Sequence, residues 1–228
     1  YPVGFFPKGF DMEGESGIVG SFGVDLVELA KRGQLDPVIG REEEIDQLIN
    51  ILSRRKKNNP IILGQAGVGK TVLVEGLAQR IADGVVGPSL RDVKIVSLDV
   101  SAIMAGSKMR GDVEEKVMAI IDEVASDGNT ILFIDEISSI VSPGMPGSSS
   151  DIASVLKPAL TRDDFKVIGA TTTEEYSAYF ESDNALARRF QPLYLEELSV
   201  VSTIKVLDKI RPILEGHHKV KISDEAIK

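Results

Sequence analysis

The sequence predicts an α/β fold in which helices cover both faces of a parallel sheet, followed by the start of a small helical domain. Apolar runs typical of strands lie near residues 61–63, 95–98, 131–134, 167–170 and 193–195. Between most of these runs the apolar residues follow the 3.6-residue period of amphipathic helices. Strands this apolar, alternating with helices, are typical of a parallel sheet that is buried on both faces.

Composition sets limits on the function. The chain has 228 residues, a formal net charge of −9 and no cysteine. The acidic balance argues against strong non-specific binding of nucleic acid, and the lack of cysteine excludes disulfides and thiolate metal sites. No apolar run approaches the roughly 18 residues of a membrane helix, and residues 1–23 do not read as a secretory signal. We therefore expect a protein of the cytoplasm, or of the matrix or stroma of an organelle.

The chain divides into three segments. Residues 1–23 are rich in glycine and phenylalanine without a regular period, which predicts a flexible N-terminal linker; a phenylalanine-rich arm that binds a partner is the alternative. Residues 24–198 form the predicted α/β domain, whose early helix has Ile45, Leu48 and Leu52 on one face. From Ser199, a helix-capping residue, the strand pattern stops. We expect a small helical domain to occupy residues 199–228 and to be truncated.

Directly after the first apolar run comes a P-loop, the Walker A motif GxxxxGK[ST]. It comprises Gly64, Gln65, Ala66, Gly67, Val68, Gly69, Lys70 and Thr71. Glycines let backbone N–H groups approach phosphate oxygens, and the positive end of the following helix favours the anion. Lys70 is expected to reach the β- and γ-phosphates of ATP, and the Thr71 hydroxyl to hold Mg²⁺. A glycine-rich turn without a ligand is the alternative.

The strand near residues 131–134 ends in two carboxylates, Asp135 and Glu136. Beside a P-loop, Asp135 suits the Walker B position near the magnesium ion, and Glu136 suits the general base that activates the attacking water. The alternative is that both residues only cap the next helix.

Seven segments in this order and spacing are shared with a known family. They are residues 38–42, 57–60, 64–71, 133–136, 156–160, 169–172 and 187–190. From about residue 24 onward the chain resembles the first AAA+ module of the Clp/Hsp100 unfoldases and disaggregases. The resemblance implies a P-loop NTPase fold of the AAA+ type.

The resemblance also implies roles for single residues. Val38 and Ile39 would line the adenine pocket, and Thr172 would be the sensor that orients the water or detects the γ-phosphate. Arg188 and Arg189 would be arginine fingers that act on ATP bound to the neighbouring subunit of a homo-hexamer. A fixed guanidinium suits that task because it is always charged and forks toward phosphate oxygens.

The arginine pair has an alternative role, since ion pairs with Glu181 or Asp183 would also account for it. The residues Lys108, Met109 and Arg110 correspond to the family's channel loop that grips polypeptide. Here methionine replaces the usual aromatic residue, and it either contacts substrate or packs within the loop. Residues 143–150 stand where the family has a second channel loop, although their composition is also that of a plain mobile connection.

As a whole, the resemblance implies ATP-driven unfolding or disaggregation, with polypeptide threaded through a hexameric ring. The implied partners are unfolded or aggregated protein and a peptidase or co-chaperone, without nucleic acid or membrane. Two alternatives stay open: a nucleic-acid-directed AAA+ ATPase of the clamp- or helicase-loader type, and a nucleotide-binding structural subunit. The basic run at residues 54–57 reads as a solvated helix end, and His217 with His218 lacks the ligands of a metal site.

Overall fold

The computed structural model describes residues 17–105, 110–141, 150–162 and 164–227. Within these ranges six strands form a sheet in the order β1-β3-β4-β5-β2-β6. The strands are β1 (Gly23–Asp25), β2 (Asn59–Leu63), β3 (Lys94–Leu98), β4 (Thr130–Ile134), β5 (Lys166–Thr171) and β6 (Phe190–Tyr194). Neighbouring strands are parallel except for β1 and β3. No helix in the described part of the chain is long and apolar enough to cross a membrane.

Helices flank the strands along the described chain. The α-helices are α1 (Ile18–Phe22), α2 (Leu26–Lys31), α3 (Glu42–Leu52), α4 (Lys70–Ala82), α5 (Val100–Ala105), α6 (Arg110–Asp127), α7 (Ser138–Val141), α8 (Ser150–Leu160), α9 (Thr173–Tyr176), α10 (Asn184–Ala187), α11 (Val200–His218) and α12 (Asp224–Ile227). A 3₁₀ turn spans Pro88–Leu90, and a π-helical turn spans Ser177–Glu181.

Each face of the sheet carries a hydrophobic core of its own. Successive side chains of a strand point to opposite faces, so Leu132 and Ile134 of β4 pack with Ile121 of α6. Phe133 lies on the other face and belongs to the same core as Leu77 of α4. Helices on both faces of a largely parallel sheet confirm the predicted α/β fold.

The edge strand β1 is a feature that the sequence pattern did not reveal. Part of the segment predicted as a linker is folded: Ile18–Phe22 form helix α1, and Val19 is 7% exposed. The Val19 N–H donates to Glu123 of α6 at 3.2 Å, and β1 then pairs antiparallel with β3. A strand of three residues is too short to show a two-residue period. Residues 18–23 therefore belong to the folded domain and not to a linker, which corrects the predicted boundary.

Residues 199–227 form two helices after the sheet. The Ser199 hydroxyl accepts from the Ser202 N–H at 3.2 Å and so caps α11, as its sequence position predicts. Arg211 of α11 donates to Asp208 at 2.6 Å and to Asp224 of α12 at 2.7 Å, which ties the two helices together. No residue of α11 is buried. That these helices open a separate small domain stays a prediction.

Candidate functional site

The loop between β2 and α4 has a backbone that its glycines make possible. Gly67 and Gly69 have φ angles of +80° and +103°, a region that strains any residue with a Cβ. A Cβ on Gly64 would lie 2.7 Å from the carbonyl oxygen of Leu195. Each of the three glycines is thus required, two by conformation and one by lack of space. The resulting loop exposes Gln65, Ala66 and Gly67 to solvent, with Val68 partly buried.

Helix α4 starts at this loop with an N-terminus suited to an anion. Its N-cap is Gly69, which offers no side-chain acceptor, and its first turn has no acidic residue. The first N–H groups of the 13-residue helix are therefore not satisfied by a capping side chain. Free N–H groups and the helix dipole together favour a phosphate at this position.

The Lys70 side chain lies across the loop. Its ammonium nitrogen Nζ donates to the carbonyl oxygens of Gly64 at 2.9 Å and Gln65 at 3.0 Å. Two neutral acceptors hold the charge at the point where the loop curves. A doubly charged phosphate would be a stronger acceptor for the same group.

Thr71 and Asp135 meet although they are 64 positions apart in sequence. The Thr71 hydroxyl donates to Asp135 Oδ2 at 2.7 Å. Asp135 follows β4, which is separated from β2 by β5, and the carboxyl ends of these parallel strands share one edge of the sheet. Two hard oxygen ligands therefore converge beside the loop. Mg²⁺ prefers such oxygens and takes one or two carboxylates together with substrate phosphates, so the pair fits this ion.

Glu136 adopts an unusual backbone conformation. Its φ angle is +50°, and its N–H donates to Asp135 Oδ1 at 3.0 Å. The next N–H, that of Ile137, donates to the carbonyl of Ala170 at 3.0 Å and so joins the ends of β4 and β5. A non-glycine residue in the left-handed region stores about 1 kcal/mol or more of strain and is typical of functional sites. The Glu136 side chain is exposed at the same edge of the sheet.

Thr172 follows β5 and is held in place by Glu175. The Glu175 carboxylate accepts from the Thr172 hydroxyl at 3.1 Å, from the Thr172 N–H at 3.2 Å and from the Thr171 hydroxyl at 2.6 Å. The Glu175 N–H returns a bond to the Thr172 hydroxyl, which completes a capping box at α9. Hydrogen bonds to the carboxylate lower the pKa of Glu175 below its ordinary value. The largest effect comes from the Thr171 hydroxyl, and smaller ones come from Thr172 and Ser138.

Glu175 is a residue that the sequence analysis missed. By accepting from both Thr172 and Ser138, it links the end of β5 to the segment that follows Asp135 and Glu136. The signal was present, because Thr172 and Glu175 have the T-x-x-E spacing of a capping box.

Val38 and Ile39 lie on the segment before α3 and are half-buried. Val38 packs against α4, since a Cβ on Gly76 would lie 3.1 Å from its Cγ1 atom. Val38 and the loop residue Val68 border the same hydrophobic core. Arg41, two residues after Ile39, donates to the carbonyl of the loop residue Val68 at 3.0 Å, so the segment lies near the loop and offers apolar surface, as an adenine pocket requires.

Arg188 and Arg189 lie at the amino ends of the parallel strands, whereas the P-loop lies at their carboxyl ends. They precede β6, whose first residue Phe190 pairs with Asn59 at the start of β2. The P-loop follows the last residue of β2, five residues and about 16 Å further on. The structure therefore does not bring the arginine pair to the P-loop of its own chain.

The two carboxylates considered as partners of these arginines also make other contacts. Asp183 pairs with Lys157 and caps α10, and the Lys157 hydrogen bond lowers the pKa of Asp183. Glu181 accepts from the Ser177 hydroxyl at 2.9 Å. Arg188 is exposed at the end of α10.

The predicted channel loops lie largely outside the described residues. Lys108, Met109 and residues 143–149 fall outside the described residues, and Arg110 is described only as the first residue of α6.

In the basic run at residues 54–57, Arg54 donates to Gln191 at 3.2 Å. The described residues contain no cluster of three or more His, Cys, Asp or Glu side chains that could hold a metal.

Comparison with known proteins gives consistent matches. A family model described as "ATPase family associated with various cellular activities (AAA)" matches residues 60–197. Chaperone protein ClpB of Aquifex aeolicus (strain VF5) is 56% identical over 206 residues, which cover 90% of this chain and 20% of that protein. Further ClpB proteins from other bacteria match at 50–52% identity. The chain thus spans about a fifth to a quarter of the length of these relatives.

Solved structures of a yeast protein have the same fold. The S. cerevisiae Hsp104–ADP complex superimposes with a TM-score of 0.84 at 44% identity, covering 92% of this chain and 36% of that one. The S. cerevisiae Hsp104:casein complex in its extended conformation gives a TM-score of 0.81 at 45% identity, covering 91% and 35%. At this identity the likeness extends to sequence as well as fold, and it confirms the resemblance to the Clp/Hsp100 proteins.

Proposed function

Because the chain belongs to the AAA ATPase family, we propose that it binds ATP at the loop of residues 64–71 and hydrolyses it. The observation that carries this proposal is the contact between Thr71 and Asp135 beside that loop. It brings the Walker A and Walker B segments together at the carboxyl edge of the sheet, where α/β proteins bind ligands.

The residues around the loop divide the task of binding. The backbone N–H groups of residues 64–69 and the α4 N-terminus receive the phosphates, and Lys70 turns from the loop carbonyls to the β- and γ-phosphates. Thr71 and Asp135 would hold Mg²⁺, which when bound neutralises charge on the phosphate oxygens. Val38 and Ile39 contact the adenine through their apolar surface.

Two further residues act on the attacking water. Glu136, exposed at the same edge as Asp135, accepts a proton from the water as general base. Its left-handed backbone supports this role, since strain of this kind persists at sites where a side chain must be aimed. Thr172, fixed by Glu175 at the neighbouring strand end, orients the water or detects the γ-phosphate.

Arg188 and Arg189 complete the site of a neighbouring subunit. In support, they lie at the opposite edge of the sheet from the chain's own P-loop, so an action on phosphate requires a second copy. We propose a homo-hexameric ring in which each arginine pair stabilises the transition-state charge at the ATP site of the neighbouring subunit.

The work done with this energy is proposed to be the threading of unfolded or aggregated polypeptide through the ring. Its support is the similarity to ClpB and to Hsp104, a protein also solved in complex with casein. Lys108, Met109 and Arg110 would grip the polypeptide, and a peptidase or co-chaperone would be a partner. We place the protein in the cytoplasm or the matrix or stroma of an organelle. The net charge of −9 disfavours a nucleic-acid-directed machine.

A substitution at Glu136 tests the enzymatic proposal. Glu136→Gln should bind ATP with parental affinity but lose hydrolysis by about 10²-fold or more, because the general base is removed. Glu174→Gln is the matched control, since Glu174 is also exposed but lies in α9. Parental turnover by Glu136→Gln would contradict the assignment.

Two further measurements test the ring and its substrate. The mass of the protein with a slowly hydrolysed ATP analogue should be six times that of the subunit, and a strict monomer with full turnover would exclude arginines acting between subunits. ATPase activity should rise with unfolded protein and not with DNA. Stimulation by DNA alone would favour the loader-type alternative.

A further inference from the structure

Arg41 is the one charged side chain that is buried among the described residues, at 5% exposure. A buried guanidinium is costly unless acceptors meet its N–H groups. Here three acceptors do so, and they come from three separate parts of the chain. The arrangement is therefore specific to this position and not a surface ion pair.

The guanidinium bridges α3, the phosphate loop and the segment after β6. Nη1 donates to Glu44 Oε1 at 2.8 Å, within α3. Nη2 donates both to the carbonyl oxygen of Val68 at 3.0 Å and to that of Glu196 at 2.8 Å. The planar fork of arginine serves this set, whereas the single ammonium of a lysine would not reach all three acceptors in the same geometry.

At the loop end, this contact fixes a peptide plane. The Val68 carbonyl and the Gly69 N–H belong to the same trans peptide and point in opposite directions. Holding the carbonyl toward Arg41 therefore aims the Gly69 N–H away from it, into the loop that faces the proposed phosphates. Gly69 has a φ angle of +103° and is able to rotate more freely than other residues, so an external anchor is needed.

At the other end, the contact lies close to the start of α11. Glu196 comes three residues before Ser199, the N-cap of α11. The N–H of the preceding Leu195 donates to the carbonyl of Leu63 at 2.7 Å, immediately before the phosphate loop. Gly40, next to Arg41, faces Leu198 and Ser202, with both 3.6 Å from the position of a Cβ. The segment that leads into α11 thus lies against the nucleotide-binding residues.

We propose that Arg41 is a positioning residue that couples the phosphate loop to helix α11. When ADP or ATP binds, the phosphate draws the already oriented Gly69 N–H toward itself, the Val68 carbonyl shifts with that peptide, and the Arg41 guanidinium carries the shift to the Glu196 segment. The orientation of α11 relative to the sheet then depends on the nucleotide. This inference rests on the proposed nucleotide site.

The chain suits a distance measurement, because it has no cysteine. Spin labels are attached at Asp92→Cys, just before strand β3 of the sheet, and at Lys209→Cys, on helix α11. Both positions are exposed. The distance between them is measured by double electron–electron resonance with and without saturating ADP. Calorimetric titration of ADP into the same samples establishes saturation. The variants are Arg41→Met and Arg41→Lys, and Glu44→Gln is the matched control that keeps both carbonyl contacts of Arg41.

The expected result is an ADP-induced change in the distance in the parent and in Glu44→Gln, and loss of more than half of that change in both Arg41 variants at saturation. If Arg41→Met does not fold, Arg41→Lys decides, since it keeps the positive charge. A full distance change in Arg41→Lys, or none in a parent that binds ADP, overturns the coupling. Failure of the parent to bind ADP at all overturns the proposed nucleotide site instead.

Discussion

Removing the charge of Glu175 should weaken the fold at the predicted sensor. In Glu175→Gln the acceptor of the Thr171 hydroxyl loses its charge, and Thr171 is 2% exposed, so water does not replace it easily. Bonds to charged acceptors contribute about 1.5–3 kcal/mol, but glutamine keeps one acceptor oxygen and the site is partly exposed. We therefore expect a loss of about 1–2 kcal/mol, or about 2–8 °C in Tm.

The pH dependence of this loss identifies its cause. The fold lowers the pKa of Glu175 below the ordinary 4.5. A lowered pKa means that the charged form is stabilised, so the contribution is fully present above that ordinary value and disappears as the pH falls through the folded-state pKa. The gap in Tm between parent and Glu175→Gln should be largest near neutral pH and should close in acid.

Thermal unfolding followed by circular dichroism at a series of pH values is the assay. Glu174→Gln is the control, because Glu174 lies in the same first turn of α9. Its substitution removes only a favourable interaction with the helix dipole, worth about 0.3–1 kcal/mol. Equal stability of the two variants, or a gap for Glu175→Gln that does not change with pH, would refute the reasoning.

Four other substitutions test three separate features. Glu75→Gln should raise Tm near neutral pH and have no effect in acid. Burial first, and then Asp36, raise the pKa of Glu75 above 4.5, so the destabilisation of the parent begins as the pH rises above that ordinary value and is fully present above the folded-state pKa. A gain that persists in acid would contradict this. Gly69→Ala should cost about 1–2 kcal/mol in chemical denaturation because its φ is +103°, whereas Gly216→Ala within α11 should gain about 0.5–1 kcal/mol. Lys70→Ala should weaken ATP binding by about tenfold or more in calorimetry, because it removes a charged donor to phosphate; unchanged affinity would exclude Lys70 from the site.

The main elements of the site follow from the sequence because their signals are local. The P-loop is a continuous motif. An apolar strand that ends in Asp135 and Glu136 predicts that these carboxylates lie at the carboxyl end of the sheet. Once the sheet is taken as parallel, Thr71 and Asp135 are expected at the same end of it, because parallel strands end at the same side. Their direct contact depends also on the strand order, which the sequence does not show.

What the sequence did not reveal depends on contacts between distant residues. Arg41 lies 27 positions from Val68 and 155 from Glu196, and it bonds to their backbone carbonyls. Every residue has such a carbonyl, so no residue type marks the acceptor. Strand β1 was missed for a different reason. Its three residues are too few to show a period, and they are held in a strand by pairing with β3.

The placement of the arginine pair and the P-loop at opposite edges has a mechanical consequence for a ring. Between Phe190 and Tyr194, strand β6 is a spacer of about 13 Å that runs beside β2 in the same sheet. If the arginine pair acts on the neighbouring subunit as proposed, a sheet that moves as a unit would displace these arginines whenever the subunit adjusts around its own nucleotide. The nucleotide sites of a closed ring would then be mechanically coupled, so that a change at one site alters the arginine position at the next.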